Sequence, residues 1–161
     1  MEAFEAIQKR RSVRKFTGES IPREDLEKIV DAGRLAPSGN NLQPWEFLVV
    51  TERCTIAEIE SIAGWIENAG AVIAVVMNPT SHWWIEDGSA AVENMLITCT
   101  ALGYGSCWLE GYTLLREEPL KMLLGVPVNR RLFTLIPIGI ATEWPEKDKK
   151  PLEDLVHWEK Y

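Results

Sequence analysis

The sequence predicts a layered domain of the α+β or mixed α/β class, and three observations carry that reading. AVIAVVM (71–77) is apolar on both faces and β-branched, the pattern of a strand buried on both sides. RLFTLIPIGIAT (131–142) repeats that pattern. Around them, apolar residues recur every three to four positions, the period of amphipathic helices.

Taken in order, Met1, Phe4 and Ile7 place a short helix over residues 2–11. Pro22 suits a helix start, and Leu26, Ile29, Val30 and Gly33 mark one face of a second helix, which Pro37 ends. PSGNNLQP (37–44) has the composition of a loop, and WEFLVVT (45–51) that of a strand. Ile56, Ile59 and Ile62 make a third helix, closed by Gly64. From Glu86 to Leu102 the pattern is helical but apolar on most sides, which suits a helix in the core or in a subunit interface. GSCWLEGY (105–112) reads as a strand or extended loop, and residues 116–124 as a helix with Gly125 at its C-cap. The tail from Thr142 is polar, with aromatic residues near its end. No repeat and no linker divides the chain, so residues 1–161 are expected to form one domain.

Composition excludes several function classes. With 46 % hydrophobic and 25 % charged residues the chain suits a globular protein, not a disordered one. A net charge of −7 argues against general nucleic-acid binding, which needs a basic face. AVIAVVM is the longest apolar run, far short of the roughly 20 residues that span a bilayer, and the N-terminus does not read as a signal peptide. Cys54, Cys99 and Cys107 are an odd count without CxxC spacing, which fits a reducing cytoplasm rather than a disulfide or zinc framework.

Against that acidic background, five of the seven residues from Lys9 to Lys15 are basic, out of seventeen Lys and Arg in the whole chain. Three readings compete. The run is a solvated helix end, where cations favour the C-terminal dipole; or a nucleic-acid or targeting patch; or a pocket for one anionic group. Arginine holds phosphate oxygens bidentately, and three of the five cations are Arg10, Arg11 and Arg14, with the Ser12 hydroxyl among them. Val13 and Phe16 interrupt the polarity, so part of the run is expected to be buried. That composition favours a phosphate pocket.

Familiar phosphate and catalytic signatures are missing. Gly103-Tyr104-Gly105 begins like a dinucleotide fingerprint, but Trp108 stands where its last glycine belongs. There is no P-loop and no GxSxG elbow, and His82 and His157 are isolated in sequence, which argues against a triad or a metal site. If the protein is an enzyme, a cofactor is expected to carry the chemistry.

Four segments in order, RRSVRKF, APSGNNLQPWEF, ALGYGSCWLEGY and KKPLEDLVHW, resemble the FMN-dependent nitroreductase family, including its short single-domain members. The resemblance implies an α+β fold with a central mixed or antiparallel sheet wrapped by helices, as a homodimer with intertwined termini and FMN at the interface. It implies that Arg10, Arg11 and Ser12 contact the phosphate and ribityl chain, and that Arg14 sits near N1 and the C2 carbonyl. Lys149 matches the second phosphate cation, with Lys147 and Lys150 as neighbours able to substitute. Pro37, Ser38, Gly39, Asn41 and Gln43 match a loop reaching FMN from the partner subunit. Cys107, Trp108, Leu109, Glu110 and Gly111 fall where the family lays backbone against the N5 edge, Cys107 replacing a small or hydroxyl residue.

Trp83 and Trp84, read as loop residues, are candidates for the substrate mouth. Longer relatives carry an insertion between positions matching Trp65 and Asp87; here only a strand and a short loop fit, so an open site is expected. The activity implied is a ping-pong transfer of hydride from NAD(P)H through FMN to a nitroaromatic, quinone or similar small-molecule acceptor. The alternative is a flavin-binding carrier or sensor without turnover.

Overall fold

The computed structural model describes residues 1–66 and 68–161. Four strands, β1 (Trp45–Val50), β2 (Ala71–Met77), β3 (Gly105–Ser106) and β4 (Arg131–Gly139), form one sheet in the order β1-β2-β4-β3. Every strand pair is antiparallel. Six helices accompany the sheet: α1 (Ala3–Lys9), α2 (Arg23–Arg34), α3 (Arg53–Ala63), α4 (Trp84–Ala101), α5 (Glu110–Leu115) and α6 (Glu117–Leu124).

Strand β2 feeds two apolar layers by simple alternation. Ala71, Ile73, Val75 and Met77 enter one layer, together with Leu26 and Ile29 of α2 and Val92, Met95 and Leu96 of α4. Val72, Ala74 and Val76 enter the other, with Ile56 and Ile59 of α3 and Leu120 of α6. All seven β2 residues are buried, so the continuous apolar run is what two covered faces demand. On β4 the alternation changes phase. Phe133, Ile136 and Ile138 share one layer, because the register slips between Val75 and Val76 and gives β4 one extra residue there.

Three sequence expectations need correction. Residues 105–112 are strand only at Gly105–Ser106 and then turn into α5. The chain still bonds β4 through Cys107 N–H to Pro137 O and Leu109 N–H to Leu135 O. Thr113, fully buried four residues after Leu109, donates to the Leu109 carbonyl and accepts from Leu135 N–H at 3.2 Å. That hydroxyl joins helix to sheet and closes the turn. Secondly, Trp84 is not a loop residue: it opens α4, where its ring meets Phe133 edge-on at 6.0 Å. Thirdly, β4 ends at Gly139, short of Thr142.

Candidate functional site

The basic run leaves α1 and becomes an extended segment fastened along the end of the sheet. Val13 N–H donates to Ser106 O at 2.9 Å, Thr17 N–H to Ile140 O at 3.0 Å, and Thr142 N–H to Lys15 O at 3.1 Å. Val13 and Phe16 are buried, which leaves the residues between them facing outward. The close approach requires Gly105: a Cβ there would stand 2.7 Å from Val13 Cγ1. The cations are therefore held on a rigid sheet margin rather than on a frayed helix end.

Their side chains divide by role. Lys9 pairs with Glu5 at 2.6 Å and Lys15 with Glu143 at 3.0 Å, both in exposed ion pairs of small energetic weight. Arg11 donates to the Gln8 and Arg10 carbonyls, so its guanidinium also caps the end of α1. Arg10 lies 3.3 Å from Glu93 on α4, and Arg14 donates to the Ser12 carbonyl at 3.2 Å. Arg10, Arg11, Ser12 and Arg14 line one cleft of about 190 Å³, whose other wall is Pro145, Lys147 and Lys149. Five cations from opposite ends of the sequence converge there; Lys150 does not line the cleft.

The loop after α2 lines no wall of that cleft in its own chain. Asn40, Asn41 and Gln43 all have positive φ, and the Gln43 amide is held by Ser38 Oγ at 3.0 Å. Gly39 N–H donates to Asp87 Oδ1, and the Trp83 ring lies so close to Gly39 that no Cβ would fit. Trp83 thus braces this loop, while Trp84 packs inward and stacks under Arg131 at 5.4 Å. In this braced loop Pro37, Asn41 and Gln43 are exposed, and Ser38 and Gly39 are half-buried.

Residues 107–111 run from the sheet into α5. Cys107 and Leu109 are buried, Trp108 and Glu110 half-buried, and Gly111 is exposed with open space where a Cβ would point. The first N–H groups of a helix have no intrahelical acceptor, and those of Glu110 and Gly111 have no backbone partner among the described residues. Burial pushes the Cys107 thiol up, only partly offset by Arg14, Ser12 and Arg10, so the sulfur is a neutral thiol rather than a nucleophilic thiolate. Two residues at this end of the sheet escaped sequence reasoning. Pro145 lines the cationic cleft, and Trp65 sits in the turn after α3, its ring 5.7 Å from Arg14 Cζ. The signal available for Trp65 was a single aromatic directly after a helix-closing glycine.

Comparison with known proteins gives consistent matches. The sequence model described as the Nitroreductase family matches residues 7–79 and 60–140. An Archaeoglobus fulgidus protein bearing the provisional name NADH dehydrogenase/NAD(P)H nitroreductase is 37 % identical over 174 residues, covering 99 % of each chain. A Desulfovibrio desulfuricans structure, provisionally called a nitroreductase and solved in complex with FMN, superposes with a TM-score of 0.88 at 27 % identity, over 100 % of this chain and 98 % of its own. A Bacteroides fragilis nitroreductase with bound FMN superposes with a TM-score of 0.81 at 28 % identity, over 94 % and 95 %. Among the described residues, no helix is long and apolar enough to cross a membrane.

Proposed function

The chain belongs to the nitroreductase family, and on that premise we propose that it is an FMN-dependent oxidoreductase. It passes hydride from NAD(P)H to an electron-poor acceptor such as a nitroaromatic or quinone. One observation carries the reading: an acidic protein gathers Arg10, Arg11, Arg14, Lys147 and Lys149 with the Ser12 hydroxyl around a single small cleft.

The donor set fits a flavin mononucleotide. A dianionic phosphate can accept from several guanidinium and ammonium donors at once, each charge-assisted bond contributing about 1.5–3 kcal/mol. Arg10 and Lys149, with Lys147 beside them, would hold the phosphate, and Arg11 and Ser12 the start of the ribityl chain. Arg14 would favour negative charge at N1 and the C2 carbonyl, and so raise the tendency to accept electrons. FMN, when bound, supplies an N5 atom that takes a hydride from the nicotinamide and returns it to the acceptor.

The protein's own task is positioning. The free amides of Glu110 and Gly111 would orient the N5 edge, and the buried Cys107 thiol stays protonated behind them. Nicotinamide and acceptor would use the same site in turn, with water as the proton source, so no side chain is required as general acid. Pro37, Ser38, Gly39, Asn41 and Gln43 would reach the flavin of a partner subunit. The exposed Met1, with Phe4 and Ile7 on α1 and Leu152, Leu155 and Trp158 of the tail, favours a homodimer with intertwined termini.

Anaerobic mixing with NADH and, separately, NADPH tests the reading. Yellow protein should lose its visible flavin band and recover it when a nitroaromatic or quinone is added. A flavoprotein whose band neither coenzyme bleaches would be a carrier, and the oxidoreductase reading would fail.

A further inference from the structure

We propose that Trp65, with Tyr112, forms the specificity-determining wall of the acceptor subsite and selects planar, electron-poor aromatic rings. The proposal rests on the flavin reading above and names residues that the sequence motifs do not assign.

Trp65 is 48 % exposed and Tyr112 49 % exposed, yet their rings face each other at 6.0 Å with a 51° tilt. The pair forms the side of a trough, not a closed stack. The adjoining concavity, of about 360 Å³, is lined by Ser12, Arg14, Lys15, Glu60, Trp65, Glu143 and Pro145. Ser12, Arg14 and Pro145 also line the phosphate cleft, so the two hollows share a wall. Tyr112 directly follows Gly111, whose amide is one of the free donors at the start of α5. The aromatic pair therefore joins the hollow beside Arg14, through Trp65, to the segment assigned to N5, through Tyr112.

Beside Trp65 the chain is anchored at Ile66. Trp65 has φ +63°, a conformation that is unfavourable for a bulky side chain. It is kept there because the Glu60 carboxylate accepts from Ile66 N–H and the Ile66 side chain is fully buried. The half-exposed indole leaves apolar surface in water, at a cost in free energy. A ring stacked on the indole would cover that surface.

Charge defines which ring. Lys15 is engaged by Glu143, and Glu60 by the Ile66 amide. Arg14 has no carboxylate partner among the described residues, and its guanidinium lies against the indole. A guanidinium has five N–H donors, so beside the flavin's C2 edge Arg14 also meets nitro or carbonyl oxygens of a planar acceptor, while the electron-deficient ring meets the electron-rich indole.

Calorimetric titration of oxidised, FMN-loaded protein with 4-nitrobenzoate, without reductant, reads binding apart from turnover. Trp65→Leu should weaken the probe by about tenfold, Trp65→Phe by no more than about threefold, and Tyr112→Leu by an intermediate factor. Cyclohexanecarboxylate, equally charged but not planar, should bind wild type and Trp65→Leu alike. Flavin content and sedimentation are measured on the same samples. A Trp65→Leu protein with full flavin and an affinity within about twofold of wild type overturns the trough and leaves the flavin reading standing. A variant that turns monomeric with unchanged probe affinity makes the wall a subunit contact, and also overturns it. Wild-type protein without flavin overturns both readings. Should Trp65→Leu not fold, Tyr112→Leu decides the matter by the same criteria.

Discussion

The backbone N–H of Gly39 donates to Asp87 Oδ1 at 2.9 Å, tying the loop after α2 to the first turn of α4. Asp87 is buried, and its other oxygen has no partner among the described residues. Asp87→Ala removes the acceptor and strands the Gly39 amide, at an expected cost of about 1–3 kcal/mol. Thermal unfolding should show the loss, and amide exchange at Gly39 should accelerate. Unchanged melting and protection would contradict the tie.

Gly105 controls the seat of the basic segment. An added Cβ meets the fully buried Val13, which has no room to retreat. Gly105→Ala should destabilise the fold by about 1–3 kcal/mol through overpacking and should weaken FMN retention with it. Denaturant unfolding and flavin content measure the two effects. If stability falls but flavin affinity is kept, the cations do not depend on this seat.

Glu117 links α6 to β4 and sets a pH dependence. Its partial burial would raise its pKa, but Arg131, at 2.8 and 3.0 Å, and the Leu132 amide, at 2.9 Å, hold it below the ordinary 4.5. A lowered folded-state pKa stabilises above the unfolded value, and the benefit fades as pH falls through the folded value. Glu117→Gln should therefore cost about 1–2 kcal/mol at neutral pH. The difference from wild type should shrink as pH drops below 4.5. A pH-independent difference, followed by chemical denaturation, would refute the ionic role.

Arg14 is expected to serve the flavin ring rather than the fold, since it is exposed and, among the described residues, its side chain donates only to the nearby Ser12 carbonyl. Arg14→Ala should weaken FMN binding by roughly 10–100-fold, slow bleaching by NAD(P)H and leave the melting temperature nearly unchanged. Retained flavin and retained rate would remove Arg14 from the site.

Much of the fold is legible in the sequence, because long runs have only one way to bury themselves. AVIAVVM becomes β2 with its boundaries unchanged, and Leu26, Ile29 and Gly33 are the buried face of α2. Helix α5 was hidden, because its six residues are too few for a period to emerge and tertiary bonds through Thr113 fix it. The basic run announced itself by composition, but which cations face the cleft depended on contacts far along the chain. Lys9 and Lys15 are taken by Glu5 and Glu143, while Lys147 and Lys149 arrive from the irregular tail, where no periodicity gives a direction. Trp84 misled for a related reason: read as a loop residue, it is the first turn of a helix whose apolar face reaches Phe133.

In the proposed site the cleft of Arg10, Arg11, Ser12, Arg14, Lys147 and Lys149 would recognise a flavin mononucleotide through its phosphate. Parallel titration of flavin-free protein with FMN and with riboflavin, which lacks only the phosphate, tests it most directly. FMN should bind at least about 100-fold more tightly, and the margin should shrink in Arg10→Ala and Lys149→Ala. Equal affinity for the two flavins would contradict the account.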